Sequence, residues 1–274
     1  IFVNDGAGGF GSAGSLQGGG IANVNDLLAA DVDSDGISEL IVTGSGGTAL
    51  LGRAAAGGIE ATSLASGAGR DLAIADLDQD GDQDLVVVLA ADRRVELVYN
   101  DGDGSVAGVT SLDQGSVANA SAMDLNGDGA ADLLLAIDGN DMSAPQNRVL
   151  YQQGGQFAPG QSFGASPVTA LISGDIDVDG WTDIVAINDA GVHQLYLGSQ
   201  DGSFSLAPEQ IVSAGMKRGV LTDFNSDGSL DLILVGSSAG VLEIHANNGI
   251  GRLGLGDRNN PDLELIGEAR VNIP

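Results

Sequence analysis

DLDQDGDQD, residues Asp76 to Asp84, is one of five copies of a nine-residue stretch. The others are DVDSDGISE from Asp31 to Glu39, DLNGDGAAD from Asp124 to Asp132, DIDVDGWTD from Asp175 to Asp183 and DFNSDGSLD from Asp223 to Asp231. They share the pattern D-x-[DN]-x-D-G-x-x-[DE], and their starts are 45, 48, 51 and 48 residues apart. Such a period marks a repeat architecture, in which units bury their faces against one another.

Oxygen-bearing side chains fall at four positions of each stretch. Position one is Asp31, Asp76, Asp124, Asp175 or Asp223. Position three is Asp33, Asp78, Asn126, Asp177 or Asn225. Position five is Asp35, Asp80, Asp128, Asp179 or Asp227, and position nine is Glu39, Asp84, Asp132, Asp183 or Asp231. Position six is always Gly, which permits a sharp turn. Position seven (Ile37, Asp82, Ala130, Trp181, Ser229) varies freely, as expected where only a backbone carbonyl contributes. Several carboxylates in one tight turn repel each other unless a cation sits among them. A hard dication such as Ca2+ takes six to eight oxygens, so the expectation is about five bound Ca2+. The plain alternative is an acidic, solvated turn. Five copies in register argue against it.

An EF-hand would need Glu at position twelve and a helix on each side. Position twelve is instead Val42, Val87, Leu135, Ala186 and Leu234. Short apolar runs flank every loop: LLAA, LAIA, ASAM, LISG and GVLT before it, LIVTG, LVVVLA, LLLAI, IVAIN and LILVG after it. Their length and Val/Ile/Leu content predict buried strands. Further on, each unit carries a Gly/Asn/Asp turn between apolar segments: LVYNDGDGSV at 97–106, LYQQGGQF at 150–157, LYLGSQDGSF at 195–204, EIHANNGIGRL at 243–253 and a weaker version at 50–60. Four short strands per unit predict an all-β chain of four-stranded antiparallel blades, a β-propeller.

Composition narrows the function. The 274 residues hold 38 acidic and 10 basic side chains, for a net charge of −28. That charge argues against nucleic-acid binding and against docking on anionic lipid. Eighteen of the acids occupy ligand positions in the five loops, so five Ca2+ would leave −18. There is no Cys, which removes disulfides, thiol catalysis and thiolate metal sites. No apolar run is long enough for a transmembrane helix, so no membrane insertion is expected. Weak calcium loops fill where Ca2+ is millimolar, which points to an extracellular, cell-surface or periplasmic setting.

The loop pattern, its following apolar strand and a turn such as N-D-G-x-G-x-F resemble the FG-GAP/VCBS repeat. That repeat builds the propeller at the head of integrin α subunits and occurs in many bacterial secreted proteins. The resemblance covers about residues 1–256. It implies a propeller with Ca2+ held between the first and second strands of a blade. Glu39, Asn126 and Asn225 depart from an all-Asp pattern but keep an oxygen donor. The turn phenylalanine is present at Phe10, Phe157 and Phe204 and absent after Gly104 and Gly251.

The whole chain, 1–274, reads as one propeller domain, with repeats starting near 27, 72, 120, 171 and 219. Residues 1–20 read as the last strands of a blade, and 257–274 as two closing strands without a loop. A sixth blade closed by both termini is expected, with a piece of a seven-bladed propeller as the alternative. The start in mid-repeat suggests a processed or partial chain.

Other motifs dissolve into the blade pattern. G-x-S-x-G at Gly236, Ser238 and Gly240 lies in a turn between strands, not in the strand–turn–helix of a nucleophile elbow. The G-x-G-x-x-G runs at Gly6, Gly8, Gly11 and at Gly249, Gly251, Gly254 have no βαβ unit after them. His193 and His245 occupy different places in their units, with no partner set visible. Trp181 suits packing on a neighbouring blade better than sugar stacking. Asn119-Ala120-Ser121 fits a glycosylation acceptor only weakly. With one Lys and two His, no catalytic constellation emerges, and the chain is read as not an enzyme. The expected function is a calcium-stabilised binding, adhesion or assembly module with a protein or glycan partner. A propeller of a carbohydrate-active enzyme or lectin is one alternative, and a spacer or subunit of a surface assembly is another.

Overall fold

The computed structural model describes residues 2–4, 7, 9–12, 21–53, 59–65, 67–137, 147–164, 168–188, 190–236 and 242–247. The apolar runs on either side of each acidic loop form strands, as their β-branched content requires. They pair in sequence order into antiparallel sheets. Blade 1 is β3 (Val24–Ala30), β4 (Glu39–Gly44), β5 (Gly47–Arg53) and β6 (Ile59–Ala65). Blade 2 is β7 (Asp71–Ala75), β8 (Asp84–Leu89), β9 (Arg94–Asn100) and β10 (Val106–Asp113), with a 3₁₀ turn at Ala90–Asp92. Blade 3 is β11 (Val117–Met123), β12 (Asp132–Ile137), β13 (Asn147–Gln153) and β14 (Gln156–Phe163). Blade 4 is β15 (Ala170–Gly174), β16 (Asp183–Ile187), β17 (Val192–Leu197) and β18 (Ser205–Val212). Blade 5 has three described strands: β19 (Met216–Thr222), β20 (Asp231–Gly236) and β21 (Leu242–His245). Every acidic loop joins the first strand of a blade to its second.

The core lies in the seams between blades. Four apolar clusters fill the four successive seams. In the seam of blades 2 and 3, Val86, Val88 and Leu97 meet Val117, Leu133 and Leu135. The second strands β8, β12 and β16 are buried along their whole length, which explains why their sequences are unbroken apolar runs rather than alternating ones. The first strands of successive blades contact one another: β3 with β7, β7 with β11, β11 with β15, β15 with β19.

Blades 1 and 5 each keep one apolar face open. Leu27 of blade 1 is 57% exposed, whereas its counterparts Leu72, Ala120 and Leu171 are 5%, 3% and 3% exposed. Val235 of blade 5 is 46% exposed, whereas Val88, Ala136 and Ile187 at the same place are fully buried. These are the faces a sixth blade would cover. β1 (Phe2–Asn4) and β2 (Phe10–Ser12) form a two-stranded sheet of their own, and 257–274 lie outside the described residues, so the sixth blade stays an expectation. Gly236 ends β20 and Leu242 begins β21, so the G-x-S-x-G run connects a second to a third strand, with 237–241 outside the described residues. Among the described residues, no helix is long and apolar enough to cross a membrane.

Candidate metal centres in the blade loops

Each loop is held by its own carboxylates. The position-one Asp reaches over the turn. Its Oδ2 accepts the N–H of the position-six glycine in every copy, at 2.9 Å for Gly36, 3.1 Å for Gly81, 2.8 Å for Gly129, 3.0 Å for Gly180 and 3.0 Å for Gly228. The position-five Asp folds back in turn. Its Oδ1 accepts the N–H of position seven: Ile37, Asp82, Ala130, Trp181 and Ser229, at 2.7–3.0 Å. The glycines at position six have φ between +85° and +99°, where a side chain is disfavoured.

Position four is a feature that the sequence pattern does not announce. All five residues there adopt a left-handed backbone: Ser34 (57°), Gln79 (65°), Gly127 (78°), Val178 (60°) and Ser226 (62°). Four are not glycine, and Val178 is β-branched, the type least suited to this region. The loop closure imposes this conformation against local preference.

Position nine belongs to the loop and to the blade at once. Glu39, Asp84, Asp132, Asp183 and Asp231 are all buried. One oxygen accepts the N–H of position two in every copy: Val32, Leu77, Leu125, Ile176 or Phe224, at 2.7–3.1 Å. In four copies the other oxygen accepts an N–H from the third strand or just beyond it: Asn100, Gln152, Gly198 or Asn247, each at 2.8 Å. In these four copies position nine therefore staples its loop to the third strand.

Three loops bring carboxylate oxygens of positions one, three and nine within 4.8 Å of one another: Asp31, Asp33 and Glu39; Asp76, Asp78 and Asp84; Asp175, Asp177 and Asp183. The position-five carboxylates stand outside these groups. In the third and fifth loops Asn replaces Asp at position three. Asn126 Nδ2 donates to Asp128 at 3.1 Å and Asn225 Nδ2 to Asp227 at 2.8 Å, while Oδ1 of each accepts the position-five N–H at 2.9 Å. Position seven sends its side chains elsewhere. The Asp82 carboxylate lies where a Cβ on Gly102 would collide with it, and Trp181 lies against Gly127 of the preceding loop.

The electrostatics suit a cation. Burial first, then the neighbouring carboxylates, push Asp84, Asp78, Asp177 and Glu39 above their ordinary values. Burial raises Asp132 and Asp183 to about 6 against the backbone N–H groups that lower them. Asp76 Oδ1 and Asp177 Oδ1 are buried and accept no hydrogen bond in the structure. An unpartnered buried carboxylate oxygen is costly, and a bound cation is a natural partner for it. The donor set, all oxygen, fits a hard dication.

The family model of the FG-GAP-like repeat matches residues 76–135 and 124–185, a stretch that contains loops two to four. No curated protein matches the chain in sequence. Among solved structures, the chain is similar to an Agrocybe aegerita lectin described as recognising non-reducing terminal N-acetylglucosamine. The identity is 23%, with 92% of this chain and 72% of that one covered and a TM-score of 0.63. It is similar to a periplasmic gluconolactonase of Pseudomonas aeruginosa at 13% identity, covering 79% of this chain and 65% of that one, TM-score 0.57. A Lactobacillus plantarum protein gives 15% identity, 78% and 66% coverage and a TM-score of 0.56. The chain thus spans just under two thirds of the latter two proteins. At these identities the likeness establishes the fold. With its repeated acidic loops, its five blades and the family match across the central ones, the chain is a β-propeller whose central blades carry FG-GAP-like repeats.

Proposed function

We propose that this propeller is a calcium-stiffened, non-catalytic binding module that works outside the cytosol. The observation that carries the reading is the convergence of positions one, three and nine in three loops, with Asp76 Oδ1 and Asp177 Oδ1 buried and unpartnered. Positions one, three, five and nine would hold Ca2+, with the backbone carbonyl of position seven as a further donor. The ion supplies positive charge among carboxylates that otherwise repel. With Kd ~0.1 mM and ~1 mM Ca2+, each site stabilises by about 1.4 kcal/mol, and five by roughly 7 kcal/mol. That is comparable with a domain's whole stability. The binding reading, rather than an enzymatic one, rests on the side-chain inventory of one Lys and two His, of which His193 is fully buried. FG-GAP repeats are typical of extracellular or periplasmic proteins, which supports the location.

The test is a thermal melt in millimolar Ca2+ and in excess EGTA, with bound calcium counted by elemental analysis. About five ions per chain and a large downward shift in chelator are expected. No bound calcium and no shift would leave the loops as solvated turns.

A glycan is the ligand class we favour. A cavity in the seam of blades 1 and 2 has an apolar floor of Ile41, Leu64 and Leu85, with Tyr99, Gln83 and Ser105 at its polar margin. An aromatic ring beside amide and hydroxyl groups over an apolar floor suits a sugar. A glycan array including terminal N-acetylglucosamine, run with Tyr99→Ala alongside, tests this. Binding that survives Tyr99→Ala would place the ligand elsewhere.

A further inference from the structure

The seam between blades 4 and 5 is built differently from its neighbours. Five residues before each loop stands a residue of the first strand: Asp26, Asp71, Asn119, Ala170 and Arg218. The first three reach into the next blade. Asp26 accepts the N–H of Leu72 at 3.0 Å, Asp71 that of Ala120 at 2.8 Å and Asn119 that of Leu171 at 3.4 Å. Ala170 stands in that place at the blade 4/5 seam, and a methyl group accepts nothing. The two blades are joined instead at the loop end, where Asn247 Nδ2 donates to the Ile176 carbonyl at 2.6 Å.

The same seam contains both histidines of the chain. His193 of β17 is fully buried. Its Nδ1 accepts the N–H of Asn188 at 3.3 Å, so the neutral ring carries its proton on Nε2, which makes no hydrogen bond. The backbone of Ser213 lies against the ring, in the connection from β18 to β19 that leads from blade 4 to blade 5. Ser213 Oγ is likewise buried without a partner. Blade 5 supplies Glu243 and His245 from β21, paired Oε2 to Nε2 at 3.3 Å. Among the described residues, they are the ionisable groups that act on His193. Asn147 holds the matching place in blade 3. Its Oδ1 accepts the N–H of Ile137 at 3.2 Å, and its Nδ2 lies against Gly164 of the next connection. An uncharged amide therefore does there what the imidazole does in blade 4.

We propose that His193 makes the blade 4/5 seam acid-sensitive: protonation of its ring loosens the 213–215 connection and blade 5 from blade 4. A proton on Nδ1 sets a donor against the Asn188 N–H. It also places a charge at a buried position, where the carboxylate that acts on it, Glu243, is already shared with His245. Ala170 gives the inner end of the seam no side-chain acceptor of the kind that Asp71 and Asn119 supply at the preceding seams. Burial is the largest influence on His193 and lowers its pKa below the ordinary value; the Ser213 backbone opposes this, His245 lowers it further and Glu243 raises it. The sign follows. The unfolded chain takes up this proton in the ordinary histidine range and the folded chain resists until lower pH, so stability is lost as pH falls through that range.

Hydrogen exchange on the full chain in saturating Ca2+, at about pH 7.5 and about pH 5 and corrected for intrinsic rates, tests the proposal. Peptides covering 213–222 and 242–247 are expected to lose protection several-fold at the acid pH relative to blades 2 and 3. His193→Asn, patterned on Asn147, is expected to abolish that loss while His245→Gln retains it. An equal acid response in His193→Asn, or its disappearance only in His245→Gln, overturns the assignment. Should His193→Asn fold poorly, the wild-type imidazole resonances, assigned with His245→Gln, decide the matter. Loosening must track the His193 titration, and onset at a different pH refutes the proposal.

Discussion

The indole of Trp181 rests on Gly127: a Cβ at residue 127 would stand 2.9 Å from Cζ3 of the ring. Position seven of the fourth loop thus packs on position four of the third. Gly127→Ala should displace the indole and, with φ at +78°, strain the loop. We expect a lower melting temperature and a red-shifted emission from Trp181, the one tryptophan of the chain. Chelating calcium in the wild type should move the emission the same way. Unchanged emission in both cases would show that the two loops do not set each other's position.

Substitutions at positions five and nine should separate ligation from stapling. Asp132→Ala leaves the N–H groups of Leu125 and Gln152 without their acceptor, both at a buried site. A loss of about 2–4 kcal/mol is expected by urea unfolding, with calcium or without it. Asp80 is exposed and accepts one N–H, from Asp82. Asp80→Ala should lower the melting temperature in calcium and change it little in EGTA. Equal losses in both media for Asp80→Ala would speak against its role as a ligand.

Val178→Gly should stabilise the protein. Val178 is exposed and held at φ +60°, and the third loop already places Gly127 at the same position. Relief of the left-handed strain outweighs the added freedom of the unfolded chain, for a net gain of up to ~1 kcal/mol. Urea midpoints at constant slope would measure it. A loss would mean that the valine side chain makes a compensating contact.

Asp71 should carry a pH dependence opposite in sign to that of His193. Burial, opposed by the Ala120 N–H, pushes its carboxyl up to about 6, with Asp26 raising it further and Arg218 and Asn119 lowering it. The folded state then binds its proton more tightly than the unfolded chain, so this group's contribution improves as pH falls through about 6. Asp71→Asn keeps an acceptor for Ala120, as Asn119 does for Leu171, and removes the buried charge. We expect it to raise the melting temperature at neutral pH and to leave a steeper acid loss. Melts of both forms between about pH 5 and pH 8 would check this.

The repeat, the strands around each loop and the glycine at position six were legible in the sequence because they are local. Carboxylate spacing, apolar runs and turn residues recur within nine to twenty positions, and the strands β4, β8, β12, β16 and β20 fall where those runs do. The left-handed backbone at position four was not legible, because Ser34, Gln79 and Val178 share no side-chain property that favours it. The second role of position nine was hidden for a different reason. Asp84 and Asp132 look like loop ligands until the third strand returns Asn100 and Gln152 to them.

The sequence by itself determined a chain of acidic-loop blades, since each unit's pattern is written within the unit. The tertiary structure alone decided what joins the blades. Asp26 to Leu72, Asp71 to Ala120 and the approach of His193 to the strand bearing His245 link residues about 50 apart. No short-range periodicity encodes such contacts. They exist because a blade buries its faces only against another blade, and packing then brings one residue of each into hydrogen-bonding or charge–charge range of the next.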